Sequence, residues 1–330
     1  MADASPMMND QFGRRINYVR LSLTDRCDMR CRYCMAEKME FLPRAEILSH
    51  EEIGALARAF VARGVKRIRL TGGEPLARRG AVDVARDIGQ LLGHGLEELS
   101  LTTNASRLRE HASGLREAGI ARINVSLDTR DPDKFRHITR TGDLARVLDG
   151  IDAAREAGFV IKINMVALKG FNDLEILPML EWCAAQGFDL SLIETMPLGT
   201  IDEDRTDRFL PLTRVQDELA MRFTLLPSTH RTGGPARYWQ VQELGVRIGF
   251  ISPLTANFCE SCNRIRVSAS GQLFMCLGHD DKVDLRTALR SGDADAVDAA
   301  VDLALGRKPR RHAFDLNTPA TLRHMSVTGG

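Results

Sequence analysis

Three thiols fall within one short stretch, Cys27-Asp-Met-Arg-Cys31-Arg-Tyr33-Cys34, in the pattern C-x3-C-x2-C. The stretch follows a strand-like run at 18–23, so a tight loop there can aim three thiolates at one spot. Three is the informative number. A closed structural zinc site takes four ligands, and an iron–sulfur cubane is usually held by four cysteines. Three cysteines on a cubane leave one iron without a protein ligand, free to bind a substrate or cofactor. The blander readings are a zinc knuckle or thiols that merely lie close.

A second trio, Cys259, Cys262 and Cys276, has the pattern C-x2-C-x13-C. That spacing suits a knuckle plus one return strand. Zinc here would need a fourth ligand, which His279 is placed to supply. The sharper reading is a second cubane whose open iron meets a nitrogen or oxygen of the substrate. Arg264 and Arg266 lie two apart beside it. On a strand they share a face, and their fixed charge suits a polyphosphate or carboxylate; the alternative is a pair of surface arginines. The seventh cysteine, Cys183, reads as a buried apolar residue beside Trp182.

Between the trios, Thr71-Gly72-Gly73-Glu74-Pro75 ends a strand-like run. Paired glycines let backbone approach a ligand without a Cβ in the way, and exposed carbonyls there suit an ammonium group. The run lacks the later Gly-Lys-Ser/Thr of a phosphate-binding P-loop.

The 330 residues are 44% hydrophobic and 27% charged, with a net charge of +1. These values suit a globular protein and speak against a general nucleic-acid or membrane-surface binder. Residues 1–15 are polar, without the apolar core of a secretory leader, and no run is long enough to cross a bilayer. The expected setting is a reducing cytoplasm, where clustered cysteines read as metal ligands before disulfides.

Such sites need elements to hold them. Strand-like runs at 18–23, 66–71, 98–103, 122–127, 160–167 and 189–196 alternate with amphipathic helical patterns, one opening at Ser49 and others near 81–92, 107–118, 143–157 and 173–186. Ser49 and Glu52 form a capping-box pattern, and Gly64, Gly119, Gly158 and Gly187 suit C-terminal caps. Alternation of this kind implies a parallel sheet. One strand parity is polar (Arg20, Ser22, Thr24; Arg69, Thr71; Ser100, Thr102, Asn104; Asn124, Ser126, Asp128; Lys162, Asn164; Glu194, Met196), and the other is mostly Val, Ile and Leu. The alternative is that some of these residues face solvent on an open sheet, but agreement across six strands favours a barrel lumen that holds a ligand. Six units fall short of the eight of a complete barrel. The expectation is an α/β fold, an incomplete (β/α)6 TIM-type barrel over 16–210. A mobile tail at 1–15 precedes it, and a smaller C-terminal α+β portion over 211–330 closes the open side.

The first cysteine loop, with Tyr33 before its last thiol, resembles the signature of the radical S-adenosylmethionine (SAM) enzymes. The Gly72-Gly73-Glu74 turn resembles their motif for the SAM amino group. Together with Thr102-Thr-Asn104, Asn124-Val-Ser126-Leu-Asp128, Cys259-x2-Cys-Asn-Arg-x-Arg266 and the terminal Gly329-Gly330, nearly the whole chain resembles the GTP 3',8-cyclase family of molybdenum cofactor biosynthesis. Asp28 stands where many members carry Asn, and Ala36 replaces a frequent proline; neither is a ligand position. The resemblance implies two [4Fe-4S] clusters, one on Cys27, Cys31 and Cys34, the other on Cys259, Cys262 and Cys276. It implies SAM contacts at Tyr33, Gly73, Ser126 and Met196. GTP contacts are implied at Arg20, Arg69, Thr102, Lys162, Arg264, Ile265 and Arg266, and a catalytic tail at Gly329 and Gly330. It also implies a flavodoxin-like or ferredoxin-like electron donor and a downstream cyclic pyranopterin monophosphate synthase, with the chain a monomer or homodimer. The alternatives are a peptide-modifying radical SAM enzyme and a non-catalytic zinc protein.

Overall fold

The computed structural model describes residues 7–199, 205–318 and 320–329. Six strands carry the expected parallel core: β1 (Tyr18–Ser22), β2 (Arg67–Thr71), β3 (Glu98–Thr103), β4 (Arg122–Ser126), β5 (Val160–Ala167) and β6 (Asp189–Glu194). Helices α1 (His50–Ala62), α2 (Ala81–Gly89), α3 (Leu108–Glu117), α4 (Pro132–Thr139), α5 (Leu144–Glu156) and α6 (Ile176–Gln186) connect them. The Ser49 hydroxyl accepts from the Glu52 N–H, and the Glu52 carboxylate accepts from the Ser49 N–H at 2.7 Å, so α1 starts on a complete capping box.

The C-terminal region extends this sheet at both edges. Strands β7 (Leu225–Pro227), β8 (Arg237–Val241) and β9 (Val246–Ile251) lie beyond β6. Strands β10 (Arg264–Val267), β11 (Gln272–Phe274) and β12 (Lys282–Asp284) lie beyond β1. The order is β12-β11-β10-β1-β2-β3-β4-β5-β6-β9-β8-β7. Since β10 runs parallel to β1 and β9 parallel to β6, eight consecutive strands are parallel. The sheet is an incomplete barrel, left unclosed.

Register fixes what faces inward. Arg20, Arg69 and Ser100 stand side by side across β1, β2 and β3, and Asn124 stands between Thr102 and Lys162. The opposite parity (Val19, Leu21, Ile68, Leu70, Ile123, Val125, Ile163) is fully buried against the helices, as a strand covered on one face by helices requires.

Three expectations need correction. On β6 the inward residues are Asp189, Ser191 and Ile193, because Lys162 pairs with Asp189 and Asn164 with Ser191. Glu194 therefore points to the helix side. There its carboxylate accepts from the N–H groups of Leu212, Leu254 and Thr255 and from the Thr255 hydroxyl. Met196 lies past the end of the strand, where alternation no longer governs it. Next, residues 7–15 are not a loose tail. Met8 and Ile16 are buried, and Arg14 pairs with Asp10 while donating to the carbonyls of Cys259 and Pro309. Finally, α4 has no counterpart in the sequence pattern.

Candidate active site

The first trio hangs between β1 and three supports. After Ser22 the chain passes directly beneath the β2 turn, where the N–H groups of Gly73 and Glu74 donate to the carbonyls of Thr24 and Arg26, both at 2.8 Å. A Cβ on Gly72 would strike the Thr24 carbonyl, and one on Gly73 the carbonyls of Asp25 and Arg26. The paired glycines thus admit the chain's own cysteine loop as well as any ligand. Helix α4 provides the second support. Its last carbonyls, on Ile138 and Thr139, accept from the N–H groups of Arg32 and Arg30. Asp28 provides the third, accepting from the Asn104 amide at 2.8 Å and the Ser106 hydroxyl at 2.6 Å. The Asn104 amide also reaches the Cys27 sulfur, at 3.8 Å.

Cys27, Cys31 and Cys34 line a cavity together with Tyr33, Gly73, Thr102, Ser126, Asp128 and Met196. Burial, then mutual repulsion with its neighbours, holds the Cys31 thiol well above its usual range, and burial pushes Cys34 up to about 12. Such thiols give up their protons to a bound metal rather than to water. The Tyr33 hydroxyl donates to Asp128 at 2.7 Å. Burial raises the Asp128 carboxyl to about 6 against the opposing pull of Tyr33 and the Val166 N–H. Glu74 is also fully buried. It accepts from the Leu76 and Asn104 N–H groups and the Thr103 hydroxyl, and burial raises it to about 7. Two buried polar atoms on this cavity wall, Thr71 Oγ1 and Asn164 Oδ1, have no hydrogen-bond partner among the described residues. They fit a polar ligand between them.

Cys259, Cys262 and Cys276 line a second cavity with Arg20, Arg69, Lys162, Arg264 and Arg266. Asn164, Ile193, Met196 and Met325 line both cavities, so the two adjoin inside the barrel. Burial, followed by Arg69 and Arg122, drives the Lys162 ammonium well below its ordinary range, and its Nζ donates to the Tyr238 hydroxyl at 3.1 Å. Burial, then Arg264 and Arg323, lowers Arg266 to about 9. The nearby carboxylates Asp189 and Glu98 offset only part of this charge. A polyanion is the natural complement. Although burial opposes it, Arg264 and Lys308 bring the Cys262 thiol down to about 7.

Thr102 falls on the wall of the first cavity rather than the second. Ile265 alternates away from the arginines beside it and is buried in the apolar core, so its side chain faces no ligand. His279 does not join the second trio; its ring bonds the Arg311 carbonyl at 3.0 Å. The tail pairs Thr321 with Leu198 and enters the barrel as a short helical turn, Met325–Thr328. The Ser326 N–H donates toward Cys34, and Arg266 donates to the Gly329 carbonyl at 2.8 Å. Gly330 lies outside the described residues. Asp128, the end of the Asn124–Asp128 motif, and Asn164 both lie on the inward parity but carry no assigned role in the sequence reading; Ile193 and Met325 carry none either, their apolar character giving no sign of a site.

Comparisons with known proteins agree with this geometry. The Radical SAM superfamily matches residues 21–183, and Molybdenum Cofactor Synthesis C matches residues 188–314. A crystal structure of Streptococcus suis SuiB bound to S-adenosylmethionine superimposes with a TM-score of 0.62 at 13% identity, over 94% of this chain and 77% of that one; at that identity it speaks to the fold alone. The partial barrel with its three-cysteine loop is that of the radical SAM superfamily, whose members use SAM and a [4Fe-4S] cluster. Among curated relatives, a GTP 3',8-cyclase of Rhizobium etli is 56% identical over all of this chain and 96% of its own length. One of Erythrobacter litoralis is 56% identical over 99% of this chain and all of its own. The chain belongs to the GTP 3',8-cyclase family.

Proposed function

We propose that this chain is a lyase that converts GTP to 3',8-cyclo-7,8-dihydro-GTP, a first step toward the molybdenum cofactor. One observation carries the reading: two cysteine trios line adjoining cavities, and the buried cations gather in the second. When bound, the first cluster and SAM would supply a primary carbon radical able to take H3' from the GTP ribose; the ribose C3' would then bond to guanine C8, and one further electron and proton would give the 7,8-dihydro product.

The chain's own part is placement and exclusion of water. Cys27, Cys31 and Cys34 hold the cluster, and Tyr33, Gly73, Ser126 and Met196 hold SAM, with Thr71 and Asn164 as further polar partners. Arg20, Arg69, Lys162, Arg264 and Arg266 hold the triphosphate. Fixing a substrate C–H bond against a reactive carbon is worth several orders of magnitude in rate. Ile193, Met196 and Met325 make most of that junction apolar beside Asn164, which protects a radical from side reactions. Gly329 brings the tail to Arg266 beside the triphosphate site.

The second trio reads as the holder of a second [4Fe-4S] cluster. A zinc ion would need a fourth ligand. His279 is turned away, and His312, which does line the cavity, has one ring nitrogen on the Pro253 carbonyl and the other accepting from the Phe314 N–H. A one-electron donor of flavodoxin or ferredoxin type and a downstream pyranopterin-forming synthase complete the scheme.

The test is anaerobic incubation of iron–sulfur-reconstituted protein with GTP, SAM and a reductant. The expected outcome is 5'-deoxyadenosine formed in step with GTP loss. SAM cleavage that leaves GTP intact, or no cleavage, would overturn the reading.

A further inference from the structure

Lys308 is 1% exposed and sits behind the second cysteine trio. Its Nζ donates to the Met275 carbonyl at 2.6 Å and the Arg264 carbonyl at 2.9 Å, and points to the Cys262 sulfur at 3.7 Å. An ammonium has three donors, and all three are spent. Met275 immediately precedes Cys276, and Arg264 comes two residues after Cys262. One buried side chain therefore ties together the two segments that carry these cysteines. Among the described residues no carboxylate pairs with Lys308, and the side-chain atom that its Nζ reaches is the Cys262 sulfur. The nearby Arg14, by contrast, has its own carboxylate in Asp10. Burying a cation is costly unless it is paired, so a negatively charged cluster held at that sulfur is the natural complement of this ammonium. Partners of this kind behind ligands commonly tune a metal site.

We propose that Lys308 is a positioning and charge-setting residue of the second cysteine site: it fixes the separation of Cys262 and Cys276 and offsets the negative charge of their thiolates. This rests on reading Cys259, Cys262 and Cys276 as holders of an iron–sulfur cluster. Charge offset of that kind favours the reduced cluster and slows loss of its ligands to protonation.

The experiment uses the full chain carrying Cys27→Ala, Cys31→Ala and Cys34→Ala, so that any remaining cluster signal belongs to the second trio. If this background binds no iron and sulfide, the reading of the second trio fails before Lys308 is touched. If it binds them, Lys308→Met and Lys308→Arg are compared with it by redox titration followed by electron paramagnetic resonance, and by the rate of iron loss to a chelator. The expected result for Lys308→Met is a more negative midpoint potential and iron loss roughly 10- to 100-fold faster, with Lys308→Arg recovering most of the potential. Equal potentials and equal release rates in Lys308→Met and its parent would overturn the proposal. Lys308→Gln replaces Lys308→Met if the latter does not fold. Failure of both to fold, even as metal-free chains, would assign Lys308 to the fold alone and likewise overturn it.

Discussion

Glu74 shows how a single side chain joins the strand ends that carry the site. Both oxygens are taken by groups from its own turn and from the end of β3. Burial raises its carboxyl from 4.5 to about 7, so the folded chain keeps the proton that the unfolded chain releases near 4.5. The stabilising contribution of the neutral acid is complete below pH 4.5 and is lost as pH rises toward 7. The full shift corresponds to about 3 kcal/mol. Glu74→Gln has the shape of the protonated acid and no charge to lose. Denaturant unfolding of parent and variant at pH 5 and pH 8, in the same iron-loading state, should show the variant gaining on the parent by a few kcal/mol at the higher pH. Parallel pH profiles would contradict this account. The ligand residues themselves were legible because their spacing is local: each cysteine trio is compact in sequence. Lys308 was not, because its partners are backbone carbonyls more than thirty positions away.

Among the elements, strands with clean alternation were read nearly to the residue, and β6 was not. Its inward Ile193 and outward Glu194 reverse the polarity that marks the other strands. A carboxylate satisfied by backbone N–H groups is compatible with the helix side, and no pattern of side-chain polarity reports that. Helix α4 was missed because its eight residues hold only Phe135 and Ile138 as large buried apolar positions, too few for a period to emerge. Yet it caps the cysteine loop. Helix α5 offers a test of element packing. Gly150 lies in its interior, where alanine would ordinarily stabilise by about 1 kcal/mol. Here a Cβ would collide with the Ala105 carbonyl and crowd the Leu108 side chain at 3.2 Å. Ala105 follows Asn104 and has φ +65°, so it has little room to yield. Gly150→Ala should therefore destabilise, by roughly 1–3 kcal/mol, measured by denaturant unfolding. A gain in stability would show that α5 can slide away from the β3–α3 connection.

For the molecule as a whole, the division near residue 210 that sequence texture suggests meets a continuous sheet. Residues 264–267 pair with β1 and residues 248–251 with β6, so the C-terminal region covers both edges of the six-strand core. Removing it would bare two rows of unpaired backbone groups and part of the inward wall. The same region supplies Cys259, Cys262, Cys276, Arg264 and Arg266, and its tail returns to Cys34. The chain's net charge is only +1, so the cationic character needed for a triphosphate is concentrated inside the barrel and depends on both regions being assembled. Open parallel edges of this length template aggregation, and a partial barrel has no other element to hide them. A fragment spanning residues 16–210, expressed alone, should be aggregated or strongly dye-binding, whereas the full chain should be soluble at the same concentration. Size-exclusion chromatography with a hydrophobic dye distinguishes the cases. A soluble, cooperatively melting 16–210 monomer would mean that the six-strand core folds as a domain in its own right, and that the C-terminal strands are an addition rather than a completion of the sheet.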